Sequence, residues 1–269
     1  MDDRPIGVFD SGLGGLTAIK KLAVVLPNEE IIYLGDTGRV PYGSRSRETI
    51  VKYAFEDMAF LSTFDIKAMV VACNTVSSAA LGELSRASKF PIFGVVDAPA
   101  ARAAQVTRNK RIGVIGTEAT IRSGAYEKRL REYMPEAEVF STACPLFVPL
   151  VENGRTSRDD IVVTTIASEY LAPLKEQGID TLVLGCTHYP LLMDVLSDTM
   201  GPGVQLIDSG AETSVAVAGV LEKEEMLTGR TDAGKRRYFV TDRIEGFSQL
   251  ASLFLGDDIK GSVTQVSLD

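Results

Sequence analysis

Two rhythms of apolar and polar residues alternate along this chain. Short runs rich in β-branched residues, IGVFD (6–10), IIYLGD (31–36), AMVVACN (68–74) and IFGVV (92–96), read as buried strands. Between the first two, Leu13, Leu16, Ile19, Leu22, Ala23 and Leu26 recur at helical spacing, and Pro27-Asn28 ends the segment. Strands and helices in alternation predict βαβ units and a parallel sheet.

After a connecting segment near residues 97–105 the rhythm restarts with RIGVIGT (111–117), AEVFSTAC (137–144), DTLVLGCT (180–187) and VQLID (204–208). The predicted fold class is therefore α/β, with two similar doubly wound parallel-sheet domains related by a pseudo-twofold and an active site in the cleft between them. The tail reads as a helix (211–223), a strand (236–242), a helix (244–255) and a last strand (262–268). It is expected to return to the first sheet, so the first domain spans 1–97 plus 209–269 and the second 98–208.

The second half ends one strand on VLGCTHYP, where Cys186, Thr187 and His188, the single histidine, follow one another; the first half ends a strand on VVACNTVS, with Cys73, Asn74 and Thr75. In open α/β sheets ligands bind beyond the carboxyl ends of the strands, where following helices direct unsatisfied N–H groups. Thr75 or Ser77 is a candidate cap for a helix over VSSAALGELS, and Pro190 suits the first turn over LLMDVLSD. A thiol beside a helix N-terminus is expected to have its pKa lowered from about 8.5 into the range of about 3.5–7.5. A single cysteine ending an apolar strand is ordinarily a small buried hydrophobe, but two in equivalent places predict a shared active site. Cys144, in FSTACPLF with no polar successor, is expected to be a core residue.

A thiol on each wall of one cleft suits inversion of a carbon stereocentre. One base removes a proton from one face, an acid delivers a proton to the other, and the roles exchange in reverse. A weakly hydrated thiolate suits proton abstraction from carbon.

Composition narrows the remaining classes. The chain has 269 residues, 45% hydrophobic and 24% charged, enough to build its own core. The net charge of −8 without a basic stripe excludes nucleic acid as the primary partner and disfavours membrane surfaces. No apolar run approaches the roughly 20 residues of a membrane span, and MDDRP leads straight into the first strand without a leader. Three cysteines without zinc or disulfide spacing fit reduced thiols in a cytoplasm.

Neighbouring motifs are less decisive. Gly12, Gly14 and Gly15 of DSGLGGL fit neither GxGxxG nor a P-loop; they are candidates for bringing backbone N–H groups close to a carboxylate. Asp10 is either a helix-capping carboxylate or a proton-transfer partner for Cys73. DTGRVPYG (36–43) is either a plain βα loop or a turn that presents amides, with Pro41 and Gly43 fixing its backbone. His188, just past its strand, suits an orienting or proton-shuttling role, while Glu152 in PLVENG carries a weaker signal.

Taken together, FDSGLGGL, GDTGRVPYG, VACNT, GTEATI and GCTHYP resemble, in order and over essentially the whole chain, the cofactor-independent glutamate racemases of the aspartate/glutamate racemase superfamily. The resemblance implies that Cys73 is the base toward the D-isomer and Cys186 toward the L-isomer, with Asp10, Glu152 and His188 supporting proton transfer. It implies that Asp10, Ser11, Pro41, Tyr42, Gly43, Asn74, Thr75, Thr117, Thr120, Thr187 and His188 bind the amino acid. Related aspartate racemases usually carry an acidic residue where His188 stands, so the GCTHYP form favours glutamate. No cofactor or metal, a small-molecule substrate, a homodimer, a cytoplasmic location and supply of D-glutamate to peptidoglycan are further implications. Some relatives answer to a peptidoglycan precursor through an N-terminal extension; with a first strand at residue 6, such activation is not expected here. Aspartate or a hydantoin as substrate, a two-domain binding protein with incidental thiols, and a redox pair are the competing readings. Thiols on opposite walls lie too far apart to bridge, which disfavours the last.

Overall fold

The computed structural model describes residues 1–256, 259 and 262–268. Among the described residues ten strands form two parallel sheets. In the first half, β1 (Ile6–Asp10), β2 (Ile31–Gly35), β3 (Ala68–Val71) and β4 (Ile92–Gly94) alternate with α1 (Leu16–Val25), α2 (Arg47–Ser62), α3 (Asn74–Ala79) and α4 (Leu81–Ala87). In the second, α5 (Asp97–Val106) precedes β5 (Arg111–Gly116), α6 (Glu118–Arg122), α7 (Ala125–Tyr133) and β6 (Glu138–Ala143). Then come α8 (Phe147–Glu152), α9 (Ile161–Glu176), β7 (Thr181–Gly185), a 3-10 turn (Tyr189–Leu192), α10 (Met193–Met200) and β8 (Gln205–Asp208). The tail supplies α11 (Ser209–Lys223), β9 (Arg236–Val240), α12 (Ile244–Leu255) and β10 (Val263–Gln265).

The first sheet runs β10-β9-β2-β1-β3-β4 and the second β6-β5-β7-β8. Four strands of the first, β2-β1-β3-β4, repeat the order of the whole second sheet, which is the internal similarity visible in the sequence. In this superposition β3 corresponds to β7, the two strands that lead into Cys73 and Cys186. The central strands are almost continuously buried, as parallel strands covered by helices on both faces must be.

Two local expectations need correction. Residues 97–105 are not a connection but most of α5. Five alanines favour the helical state, Pro99 falls in the first turn where a missing N–H is harmless, and the buried face is the low-contrast trio Pro99, Ala100 and Ala103. Nor do Thr75 and Ser77 cap α3: Cys73 holds the N-cap position without a side-chain cap, and both residues lie inside the helix. Ser77 Oγ instead donates to the Val71 carbonyl and accepts from the Val95 N–H, tying β3 to the chain after β4.

The returning tail is anchored by a buried ion pair. Lys67 Nζ lies 2.6 Å from Glu29 Oε2, both side chains being almost fully buried. The same ammonium donates to the carbonyls of Asp2 and Met226, and Glu29 Oε1 accepts from the Thr228 N–H. All three Lys67 donors are thus engaged, and the group links the amino-terminal segment, the β2 entry and the segment before β9. Replacing Lys67 with Met leaves Glu29 buried and uncompensated, so urea unfolding should show a loss of about 3–5 kcal/mol. Adding Glu29→Leu should recover most of it, since an apolar pair of similar volume is commonly neutral.

Candidate active site

Cys73 begins where β3 ends. Its carbonyl accepts the Ser77 N–H, the first helical bond of α3, and its thiol lies 3.5 Å from Ser11 Oγ, just past β1. Behind it sits Asp10, fully buried, whose Oδ2 accepts from the Gly12 N–H and whose Oδ1 lies 3.5 Å from Thr187 Oγ1 of the other half. Asp10 thus fastens the loop after β1 and also reaches the opposite strand end, so neither of its two sequence readings excludes the other.

The opposite wall carries Cys186, Thr187 and His188 after β7. The Cys186 thiol is 3.9 Å from His188 Nδ1, and His188 Nε2 is 3.1 Å from Glu152 Oε1 at the end of α8. A thiol, an imidazole and a carboxylate therefore lie in series. His188 is buried, with its ring edge-on to Phe254 of α12 at 5.5 Å, whereas the Glu152 side chain is 36% exposed. A Cβ on Gly14 would lie 2.1 Å from Thr187 Oγ1 and 2.5 Å from His188 Nδ1, so only glycine lets the loop after β1 pass this wall. Thr17, three residues on, donates to the Thr187 carbonyl at 2.9 Å.

The two thiols line one cavity of about 430 Å³. Ser11, Asn74, Thr75, Thr117, Thr187 and His188 share it, as do Glu152 and the loop residues Pro41, Tyr42 and Gly43. Thr75 Oγ1 and Thr117 Oγ1 are 3.0 Å apart, a hydroxyl contact between α3 and the start of α6. Gly43 packs against Thr117, where a Cβ would lie 2.9 Å from the threonine Cβ, and its carbonyl accepts the Ala119 N–H. Asp10 and Thr120 are not in the cavity wall. Thr120 is buried behind Thr117, their hydroxyls 3.0 Å apart. Tyr42 reaches the cavity, but its hydroxyl donates to Asp36 and lies 3.3 Å from Asp57 Oδ2, in a cluster with Arg39.

Several wall residues escaped the sequence reading. Val40, Pro145, Val148 and Pro149 give the cavity an apolar side, and Glu118 and the buried Cys144 also contribute. Nothing in the local pattern distinguishes them from loop and core residues. Among the described residues no lysine or arginine lines the cavity, so the donors they offer an anion are hydroxyls, amides and His188.

The charge state of the thiols departs from the sequence expectation. Burial pushes Cys73 up to about 11, and the Asp10 carboxylate pushes the same way. The Ser11 hydroxyl and the N–H groups of Val76 and Ser11 offset this only in part. Burial raises Cys186 as well, with charge on Cys73, Asp10 and Glu152 adding to it against the His188 N–H. The helix-terminal amides are present, but desolvation of a sulfur anion outweighs them in a six-residue helix and a 3-10 turn. Asp10 is also raised by burial, opposed by His188, the Gly15 and Gly12 N–H groups and the Thr187 hydroxyl.

The Asp/Glu/hydantoin racemase family model matches residues 17–217. A glutamate racemase of Geobacter metallireducens is 50% identical over 266 residues, covering 99% of this chain and 97% of that protein. Among solved structures, a glutamate racemase isoform of Bacillus anthracis superposes with a TM-score of 0.95 at 41% identity, covering 100% of this chain and 99% of that one. The Francisella tularensis glutamate racemase in complex with D-glutamate superposes with a TM-score of 0.93 at 38% identity, with 100% and 99% coverage. With two matching parallel sheets, a cleft walled by both strand ends and these relatives over its full length, the chain belongs to the Asp/Glu/hydantoin racemase family.

Proposed function

We propose that this enzyme interconverts L- and D-glutamate without a cofactor, Cys73 and Cys186 acting as the two acid/base groups. The observation that carries the reading is the presence of one thiol at the equivalent strand end of each sheet, both on the same cavity. Glutamate as substrate is supported by the names of the full-length relatives and by the D-glutamate held in the Francisella protein. The cavity's donors suit two carboxylates. Ser11, Asn74, Thr75, Thr117 and Thr187 offer side-chain donors, and the loop of Pro41, Tyr42 and Gly43 borders the same cavity, its backbone amides the proposed further donors. Since the Tyr42 hydroxyl is engaged elsewhere, its share is assigned to its backbone; Thr120 orients Thr117 from behind.

In the L-to-D direction the Cys186 thiolate takes the α-proton. An S–H bond forms as the C–H bond breaks, and the electron pair remains on a carbanion conjugated with the α-carboxylate. The Cys73 thiol delivers its proton to the opposite face, leaving the second sulfur as the thiolate. The reverse direction exchanges the roles. A neutral His188 that donates from Nε2 to Glu152 presents a lone pair on Nδ1 to the Cys186 thiol, a route for withdrawing or returning its proton. Asp10, raised by burial and acting on the Cys73 thiol through its charge, is assigned to that side.

Desolvation has a use here. A thiolate formed against a raised pKa is the stronger base, and the arriving ammonium supplies the charge that favours its formation. We further take residues 1–97 with 209–269 as one domain and 98–208 as the other, supported by sheet membership. A cytoplasmic homodimer supplying D-glutamate to peptidoglycan rests on the family resemblance, the cytoplasm also on three unpaired cysteines.

Incubation of the cofactor-free protein with L-glutamate in deuterated water should give loss of optical rotation with deuterium at the α-carbon. Dependence on added pyridoxal phosphate would overturn the cofactor-free reading. Cys73→Ser and Cys186→Ser should each lower racemisation by at least roughly a thousandfold with unchanged circular dichroism, as expected when one member of a two-base pair is lost. With Cys73 raised to about 11, kcat/KM for D-glutamate should climb with pH between about 7 and 9. The limb in kcat should lie at lower pH, because bound ammonium stabilises the thiolate; a flat profile would contradict this assignment. His188→Asn should slow turnover by about a hundredfold or more in stopped-flow polarimetry, the usual worth of a positioned proton-transfer group.

A further inference from the structure

We propose that Tyr126 is a positioning residue for racemisation: with Ser209 it holds the Asn74 amide so that its remaining N–H faces the substrate beside Cys73. The inference rests on the racemase reading above and adds to it a residue outside the cavity wall.

Asn74 follows Cys73 directly, opens α3 and lines the cavity, although its side chain is almost wholly buried. Its Oδ1 accepts from the Tyr126 hydroxyl at 2.6 Å, and its Nδ2 donates to Ser209 Oγ at 3.2 Å. A primary amide has two donor hydrogens. One is used by Ser209, and the other is left for the cavity.

Neither partner belongs to the helix that carries Asn74. Tyr126 lies on α7 of the second sheet's half, and Ser209 opens α11, where the chain leaves β8 to return to the first sheet. Both are buried, and burial raises the Tyr126 phenol well above its ordinary value, so it remains a hydrogen-bond donor. The hydroxyl also lies 2.8 Å from the Val95 carbonyl, and its single proton serves one acceptor at a time; Asn74 Oδ1 is the nearer.

The orientation of the amide matters because its two ends have opposite effects on an anion. Held by Tyr126 and Ser209 in this orientation, Asn74 would offer N–H to a carboxylate; turned over, it would set Oδ1 against one. Among the described residues no lysine or arginine lines the cavity to compensate. Loss of the Tyr126 hydroxyl leaves Oδ1 without its donor and releases the amide to turn. Because the contact is made to bound substrate and transition state alike, its loss appears in KM and not in kcat.

The test is a kinetic cycle on the full-length enzyme. Tyr126→Phe should raise KM for both L- and D-glutamate roughly tenfold, the worth of one oriented hydrogen bond, with kcat within about twofold and the pH profile unmoved. In an Asn74→Ala background the same substitution should add no further rise in KM, because the group through which it acts is gone. If Tyr126→Phe does not fold, Ser209→Ala removes the other restraint and should give the same split. Unchanged KM in the folded variant, a fall in kcat instead, or full additivity with Asn74→Ala would overturn the proposal. A wild-type enzyme inert toward glutamate would instead overturn the racemase reading, which separates the two failures.

Discussion

Burial of two sulfur atoms on the wall of one cavity is the constraint around which this architecture is arranged. Each thiol ends a strand buried on both faces, and each is raised in pKa by that burial despite the amides directed at it. A buried thiol is reluctant to ionise, and a thiolate formed there is the stronger base. Under the proposed two-thiol reaction, the surroundings are devices for moving a proton when substrate arrives. Asp10 stands behind one wall, and the His188–Glu152 pair behind the other, with Glu152 partly open to solvent.

The walls themselves are unequal. Cys73 sits at the start of a short helix against Ser11, while Cys186 leads into a 3-10 turn and meets an imidazole. Sheet topology is repeated in the two halves, but polar chemistry is not: Asp10 ends β1 where Gly116 ends β5, and Thr117 caps α6 through its own side chain. The pseudo-symmetry therefore places two like groups, and the departures from it give them different polar neighbours, Ser11 beside Cys73 and His188 beside Cys186.

Recognition in the proposed reaction would rest on hydrogen bonds rather than on a lysine or arginine. The described cavity wall offers hydroxyls, an amide and one imidazole beside Glu118 and Glu152, so selectivity for a carboxylate would depend on how firmly each donor is aimed. Thr120 behind Thr117, Tyr126 and Ser209 around Asn74, and the Asp36–Asp57–Arg39 cluster around Tyr42 each hydrogen-bond a wall residue from behind, which in the proposed reaction would aim it. A second layer of this kind replaces the long-range attraction that an arginine would supply.

Much was legible from the chain alone. Periodicity in residues 6–96 and 111–208 specified strands, helices and a repeated unit, because burial on both faces of a parallel sheet writes itself as continuous apolar runs. The paired strand endings marked Cys73 and Cys186, since two thiols at equivalent places are improbable as core filler. What only the folded molecule decided depends on neighbours distant in sequence: the upward direction of the thiol pKa, the turning of the Tyr42 hydroxyl away from the cavity, the withdrawal of Thr120, and the contact of Tyr126 with Asn74 across 52 positions. Apolar patterning is a one-dimensional record of burial. Desolvation and hydrogen-bond aim are sums over atoms that meet only when the chain has closed on itself.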